Sequence, residues 1–214
     1  MNTIVDFIKK ERLIAVLRGI SSERIEAVLE ALYEGGIVLA EITFNPADEE
    51  ASKDTLRCIE KGSRYFGAKM RIGAGTVLTV QQVTDAYYAG AEYIISPNVD
   101  DDVIRKTKEL KMASLPGVLT PSEAVAAWNA GADIVKLFPA GRMGASYLKD
   151  MKSSLKQLEI FAVGGVDLTN MKEFARMGAA GFGIGSNLIS PDMNFDAIRK
   201  NAEQYVDQIK EIWR

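Results

Sequence analysis

One pattern governs what this chain can fold into: a short apolar run, then an amphipathic stretch at helical spacing, then a glycine, repeated along its whole length. Apolar runs occur at Leu13–Gly19, Val38–Phe44, Arg71–Val77, Tyr93–Pro97, Met112–Gly117, Asp133–Pro139, Glu159–Val166 and Gly181–Leu188. After the first, Ser21-Ser22-Glu23-Arg24 supplies a helix start. Ile25, Val28, Leu29 and Leu32 make one apolar stripe, and Gly35-Gly36 stops it. The same order returns at Thr79–Ala89, Pro121–Ala130 and Leu168–Met177, which end alike as Ala-Gly-Ala, Ala-Gly-Ala and Met-Gly-Ala.

Strands that alternate with helices need parallel crossovers, and eight such units in 214 residues fit a (β/α)₈ TIM barrel, an α/β fold, as a single domain over residues 1–214. An open doubly wound sheet is the rival. It would gather its polar interruptions at one switch point, whereas here they fall at strand ends around the whole series. A short amphipathic helix is expected at about residues 2–11 in place of a signal peptide. Phe195, Ile198, Ala202, Tyr205, Ile209 and Ile212 are spaced for the final barrel helix, with too few heptads for a coiled coil.

Composition enters by exclusion. No tract is apolar enough to span a bilayer, so no membrane association and a cytoplasmic location are expected. A net charge of −3 without a basic block gives no footprint for nucleic acid. The chain has no histidine, which removes Ser-His-Asp and histidine-zinc chemistry, and its one cysteine, Cys58, has no partner for an internal disulfide. No metal and no cofactor are expected.

Against this background Asp133-Ile-Val-Lys-Leu-Phe-Pro139 carries a lysine inside an apolar strand. Alternation puts Ile134, Lys136 and Phe138 on one face, and on the second run Leu39, Glu41 and Thr43 on one face. In a barrel Lys136 and Glu41 converge at the mouth; a buried ion pair closing the core is the competing explanation. Arg18, Thr76 and Ser96-Pro97-Asn98 end other strands around the same mouth. Gly164-Gly165 and Gly183-Ile-Gly185-Ser186 end the last two, where such barrels commonly hold phosphate on backbone N–H groups. A desolvated lysine beside a carboxylate, next to a phosphate grip, points to carbonyl chemistry through a Schiff base: aldol cleavage or condensation. A phosphate-binding isomerase with an electrostatic lysine, and a non-catalytic binding protein, are the readings from other classes.

Seven segments, in order, carry a family resemblance: Ile14-Ala-Val-Leu-Arg-Gly-Ile20, Glu41-Ile-Thr43, Gly73-Ala-Gly-Thr-Val-Leu78, Ile95-Ser-Pro-Asn98, Leu115-Pro-Gly-Val-Leu-Thr-Pro-Ser-Glu123, Val135-Lys-Leu-Phe-Pro-Ala140 and Phe161-Ala-Val-Gly-Gly-Val166. Over nearly its whole length the chain resembles the class I 2-keto-3-deoxy-6-phosphogluconate (KDPG) and 4-hydroxy-2-oxoglutarate aldolases and the related phosphogalactonate enzymes. The resemblance implies Lys136 as Schiff-base former, Glu41 as general acid/base, and Arg18 and Thr76 on the substrate carboxylate. It implies Gly164, Gly165, Gly185 and Ser186 on the phosphate, with Thr43, Asn45, Pro97, Pro116, Phe138 and Val163 lining the pocket. It further implies a phosphorylated keto acid as substrate, and a homotrimer.

The main expectation is cleavage of KDPG to pyruvate and D-glyceraldehyde 3-phosphate, with 4-hydroxy-2-oxoglutarate as a further substrate. The phosphogalactonate epimer is the alternative. Two positions depart from the KDPG pattern: Asn45 where that branch has an arginine, and Val163 where it has threonine. Both, with Leu17-Arg18-Gly19, look like the phosphogalactonate branch, in which the arginine arrives from the first strand.

Overall fold

A computed structural model describes residues 3–214. Among these residues nine parallel strands form one sheet: β1 (Leu13–Leu17), β2 (Leu39–Thr43), β3 (Arg71–Gly75), β4 (Tyr93–Ile95), β5 (Ala113–Leu115), β6 (Gly117–Val118), β7 (Val135–Leu137), β8 (Ile160–Val163) and β9 (Gly181–Ile184). Their spatial order is β5-β4-β3-β2-β1-β9-β8-β7-β6. The two edges of this sheet are β5, inside the fifth expected run, and β6, which starts at that run's last residue and extends one beyond it; they are parted only by Pro116, which has no N–H to give to a ladder. Ser96 N–H from the β4 side donates to Leu115 O at 3.3 Å, and Lys136 N–H from β7 donates to Pro116 O at 2.9 Å. The broken run therefore touches both neighbours, and the sheet is a barrel of eight positions with a proline at its seam.

Alternation sorts the strand residues into two layers. Inward-facing Ile14, Leu39, Tyr93, Ile134 and Phe161 fill the barrel, while Ala40, Ile42, Ile94, Val135 and Leu137 pack outward beneath the helices. The first helix, α1 (Ile4–Glu11), begins later than the expected residue 2; Asn2 lies outside the described residues. Thr3 caps it, its hydroxyl taking Asp6 N–H while Asp6 reaches back to Thr3 N–H. Ile8 from this helix is fully buried with the barrel-interior set and closes the N-terminal end. Its burial stabilises by roughly 1.5–3 kcal/mol.

Outside lie α2 (Ile25–Glu34), α3 (Glu49–Phe66), α4 (Val80–Tyr88), α5 (Asp101–Glu109), α6 (Pro121–Ala130), α7 (Ala140–Met143), α8 (Ala145–Ser154), α9 (Met171–Arg176) and α10 (Phe195–Ile212). Thr79 and Thr120 cap α4 and α6 as their positions before the apolar stripes require, and Glu123 completes a capping box. The helix expected from Leu168 starts at Met171 instead. Asp167 first forms a turn, its carboxylate accepting from Thr169 N–H and hydroxyl at 2.8 and 2.5 Å. The short α7 has no sequence counterpart among the expected elements. The final helix buries Ile198, Ala202 and Tyr205 against the barrel, as expected of the last crossover. No helix among the described residues is long and apolar enough to cross a membrane.

Candidate active site

The C-terminal ends of the strands surround a cavity of about 750 Å³, within the range of small-ligand sites. Lys136 from β7 and Glu41 from β2 both reach it, as the alternation of each strand requires, with only 8% and 2% of their surfaces exposed. Arg18, Thr76, Pro97, Phe138, Val163, Gly164, Gly185 and Ser186 join them, so most of the positions singled out in the sequence share one wall.

Four do not. Thr43 and Asn45 line an adjoining cavity of about 320 Å³ behind the ends of β1 and β2, which Arg18 also borders. The Thr43 hydroxyl is committed to Leu17 O at 3.1 Å, so it ties two strands together instead of pointing with Glu41 into the mouth. Pro116 sits at the barrel seam and holds the Lys136 backbone by the 2.9 Å bond to its carbonyl. Gly165 lies behind Gly164, packed on Gly141 and accepting from Asn170 Nδ2 at 3.0 Å. Gly183, expected with Gly185 and Ser186 at the end of the last strand, lines the cavity too, whereas the sequence reading missed Val16, Ile189, Ser190 and Pro191 on its wall. Val16 shares the inward parity of Ile14 and Arg18 and was within reach of that argument; Ile189–Pro191 lie on an aperiodic loop that gives no such signal.

Two backbone features shape the mouth. Thr76 holds φ of 56°, a left-handed conformation costly for a β-branched residue, of order 1–3 kcal/mol, and this turns the chain out of β3 at the cavity wall. Gly164 has φ of 83°, and a Cβ there would lie 2.9 Å from the Phe138 ring, so only glycine permits this close approach. The loops after β8 and β9 are joined by Asn187 Nδ2, which donates to Val166 O at 3.3 Å. The Gly185 carbonyl accepts from Leu188 and Ile189 N–H at 2.8 and 3.1 Å, making a tight turn whose first amides belong to Gly185 and Ser186.

Among the described residues neither Lys136 nor Glu41 has an ion-pair partner within 4.0 Å, which distinguishes them from a closed structural pair. The Lys136 ammonium position lies 4.8 Å from the Phe138 ring centroid. Burial pushes the Lys136 pKa below the ordinary lysine value, opposed by Glu41 and reinforced by Arg18. Burial likewise pushes Glu41 above the ordinary carboxylic value, against the pull of Lys136 and Arg18. Desolvation leads in both, so the pair is driven toward neutral lysine and protonated glutamic acid. A neutral amine beside a carboxyl that can give and take a proton is what imine chemistry on a ketone requires.

A family model described as "Aldolase: KDPG and KHG aldolase" matches residues 4–209. The chain belongs to the KDPG and KHG aldolase family. As a member it is a carbon-carbon lyase of the class I aldolase type. Over 191 residues it is 42% identical to a Rhizobium meliloti protein named "Probable 2-dehydro-3-deoxy-6-phosphogalactonate aldolase", covering 89% of this chain and 87% of that one. It is 34% identical over 200 residues to the Escherichia coli K12 2-dehydro-3-deoxy-6-phosphogalactonate aldolase, covering 93% and 95% of the two chains. The Haemophilus influenzae 2-dehydro-3-deoxy-phosphogluconate aldolase is 28% identical over 214 residues, covering 97% of each. A solved structure titled "Native KDPGal structure" superposes with a TM-score of 0.86 at 34% identity, covering 94% of this chain and 95% of that one. Membership in an aldolase family decides between the enzyme and binding-protein readings in favour of the enzyme.

Proposed function

We propose that this aldolase cleaves 2-dehydro-3-deoxy-6-phosphogalactonate to pyruvate and D-glyceraldehyde 3-phosphate through a Schiff base on Lys136. The observation that carries the reading is the shared burial of Lys136 and Glu41, unpaired, in one cavity. Neutral Lys136 attacks the C2 ketone, and the carbinolamine loses water with a proton supplied by Glu41. The iminium then accepts the electron pair of the C3–C4 bond as Glu41, directly or across a water, removes the C4 hydroxyl proton. C4 leaves as the aldehyde carbon. Returning that proton to C3 of the enamine and hydrolysing the iminium releases pyruvate and restores the lysine.

Arg18 and Thr76, on the same wall, would hold the carboxylate. The amides of Gly164, Gly185 and Ser186 would hold the phosphate, and the Asn187 bond would keep the two glycine-bearing loops in register. Phe138, Pro97 and Val163 supply the apolar side that depresses the lysine.

The gluconate epimer is the competing substrate, and because C4 becomes planar in the aldehyde, both epimers give the same products. The higher identity to relatives named for phosphogalactonate, 42% and 34% against 28%, supports the galactonate reading. So do Val163 and Arg18 on the cavity wall, and Asn45 away from it. Cleavage rates on the two epimers and on 4-hydroxy-2-oxoglutarate test it. The galactonate epimer is expected to be fastest; a faster gluconate reaction reverses the assignment. Borohydride with pyruvate is expected to leave a stable adduct on Lys136, and its absence overturns the Schiff base. A cytoplasmic homotrimer accompanies this reading, and light scattering should give three times the 23.4 kDa chain mass.

A further inference from the structure

Beneath Glu41 the barrel holds a polar atom that nothing satisfies. Tyr93, the first residue of β4, is fully buried in the barrel interior, and among the described residues its hydroxyl has no hydrogen-bond partner. Such a group inside a core costs stability unless something uses it. Its placement says what could. Glu41 on β2 and Tyr93 on β4 are both in register with Gly73 of β3 between them. A Cβ at Gly73 would collide with the Tyr93 ring, and one at Gly75 would collide with the Glu41 carboxyl. The two side chains thus lean from opposite sides over the same strand, across inward positions two residues apart, with the ring one layer under the carboxyl. Glycines at both positions leave the space between ring and carboxyl free of side chains from β3.

We propose that Tyr93 is a positioning residue for Glu41: its hydroxyl donates a hydrogen bond, directly or across one water, to the Glu41 carboxylate whenever that group is ionised during turnover. The proposal rests on the Schiff-base reading of the site. The need arises when the iminium forms and Glu41 must serve as base. A buried carboxylate then requires donors: the charged groups acting on it are Lys136 from β7 and Arg18 from the end of β1, and the Tyr93 hydroxyl lies in the layer beneath it. Lys136 is then covalently engaged, and Arg18 is needed for the substrate carboxylate. The tyrosine is left as the donor with no other task. Its own proton stays in place, because burial and the nearby Glu41 and Glu92 push its pKa well above the ordinary phenol value. A donor to the charged form favours ionisation, so the hydroxyl offsets part of the upward push that burial exerts on Glu41.

The test is Tyr93→Phe, which keeps the ring and removes the oxygen. Deuterium uptake into the pyruvate methyl group, followed by NMR across a range of pD, reads the proton transfer at C3 without the phosphorylated half of the substrate. The expected result is that the rising limb of this rate moves to higher pD. In the acidic part of the range the rate falls about tenfold to a hundredfold, the worth of one hydrogen bond to a charged group, and it converges with the unmodified protein on the alkaline side. Borohydride trapping of pyruvate on Lys136 should reach the same end point in both proteins. Overlaid profiles, or a limb displaced to lower pD, overturn the proposal, and a raised Tm with overlaid profiles marks the hydroxyl as merely unsatisfied. Lack of a pyruvate adduct in the unmodified protein overturns the Schiff-base reading and this proposal with it. Intact adducts with overlaid profiles overturn the role of Tyr93 alone.

Discussion

The two ends of the barrel treat charge in opposite ways. At the N-terminal end Arg71 pairs with Glu92 at 3.0 Å, and Lys108 pairs with Asp133 at 2.6 Å. Asp133 also accepts Ser114 N–H at 2.9 Å, and Ile8 seals the opening with carbon. At the C-terminal end Lys136 and Glu41 are buried more deeply than any of those four and have no ion-pair partner within 4.0 Å among the described residues. A left-handed threonine and a left-handed glycine sit beside them. The floor pairs these charges and closes with carbon. The mouth instead buries two ionisable groups without ion-pair partners around a cavity, as groups held ready for a ligand are.

The sharpest way to break this comparison is to remove the mouth's ionisable groups and ask what is lost. On the proposed Schiff-base mechanism Lys136→Met should abolish cleavage, by roughly 10⁴-fold or more in kcat, because no other lysine lines the cavity among the described residues. Glu41→Gln should cost about 10²- to 10⁴-fold. Steady-state cleavage coupled to pyruvate detection measures both. A Lys136→Met protein that retained a tenth of its activity would return the lysine to the status of a structural cation.

Much of this contrast is legible in the sequence because both ends depend on a period of two. Once Val135-Lys136-Leu137 is accepted as a strand, the lysine must face away from its neighbours, and Glu41 follows by the same rule on β2. The eight-unit barrel follows from glycine-terminated helices. What alternation could not give is where a side chain goes after it leaves its strand. Thr43 has the parity of Glu41, yet it sits at the last residue of β2, where a neighbouring carbonyl from β1 is within reach, and its hydroxyl turns there. Pro116 was legible as a strand-end residue but not as a seam, since only the pairing of both flanking strands reveals it. The loop at Ile189–Pro191 obeys no period at all.

The floor should answer in the other currency. Ile8→Ala removes most of a fully buried side chain from a site that a helix end closes, and should cost about 2–5 kcal/mol of stability. In a chain of this length each kcal/mol lowers Tm by about 2–4 °C. Thermal unfolding measures the loss, while cleavage per folded molecule is expected to stay at the unmodified level. A fall in kcat at a temperature where the variant is fully folded would mean that the floor and the mouth are not separable.

The smallest expected effect is also the one that most directly compares the two ends. Replacing both mouth charges at once, Lys136→Met with Glu41→Gln, leaves no stranded partner and exchanges two desolvated ionisable groups for neutral ones. It should raise stability by about 1–4 kcal/mol near neutral pH, where the same exchange at the Lys108–Asp133 pair should lower it. The sign follows from proton uptake. Because the folded pKa of Lys136 is depressed, the unfolded chain holds more protons below the ordinary lysine value of 10.5, and folded stability rises with pH up to that value. Because that of Glu41 is raised, the folded chain holds more protons above the ordinary value of 4.5, and stability falls as pH climbs from 4.5 through the folded pKa. The double variant's advantage should therefore be largest between these limits and shrink toward each, as followed by Tm from pH 4.5 to 10.5. An advantage that stayed constant with pH would assign the gain to packing alone and remove desolvation from the support for the proposed role of Lys136.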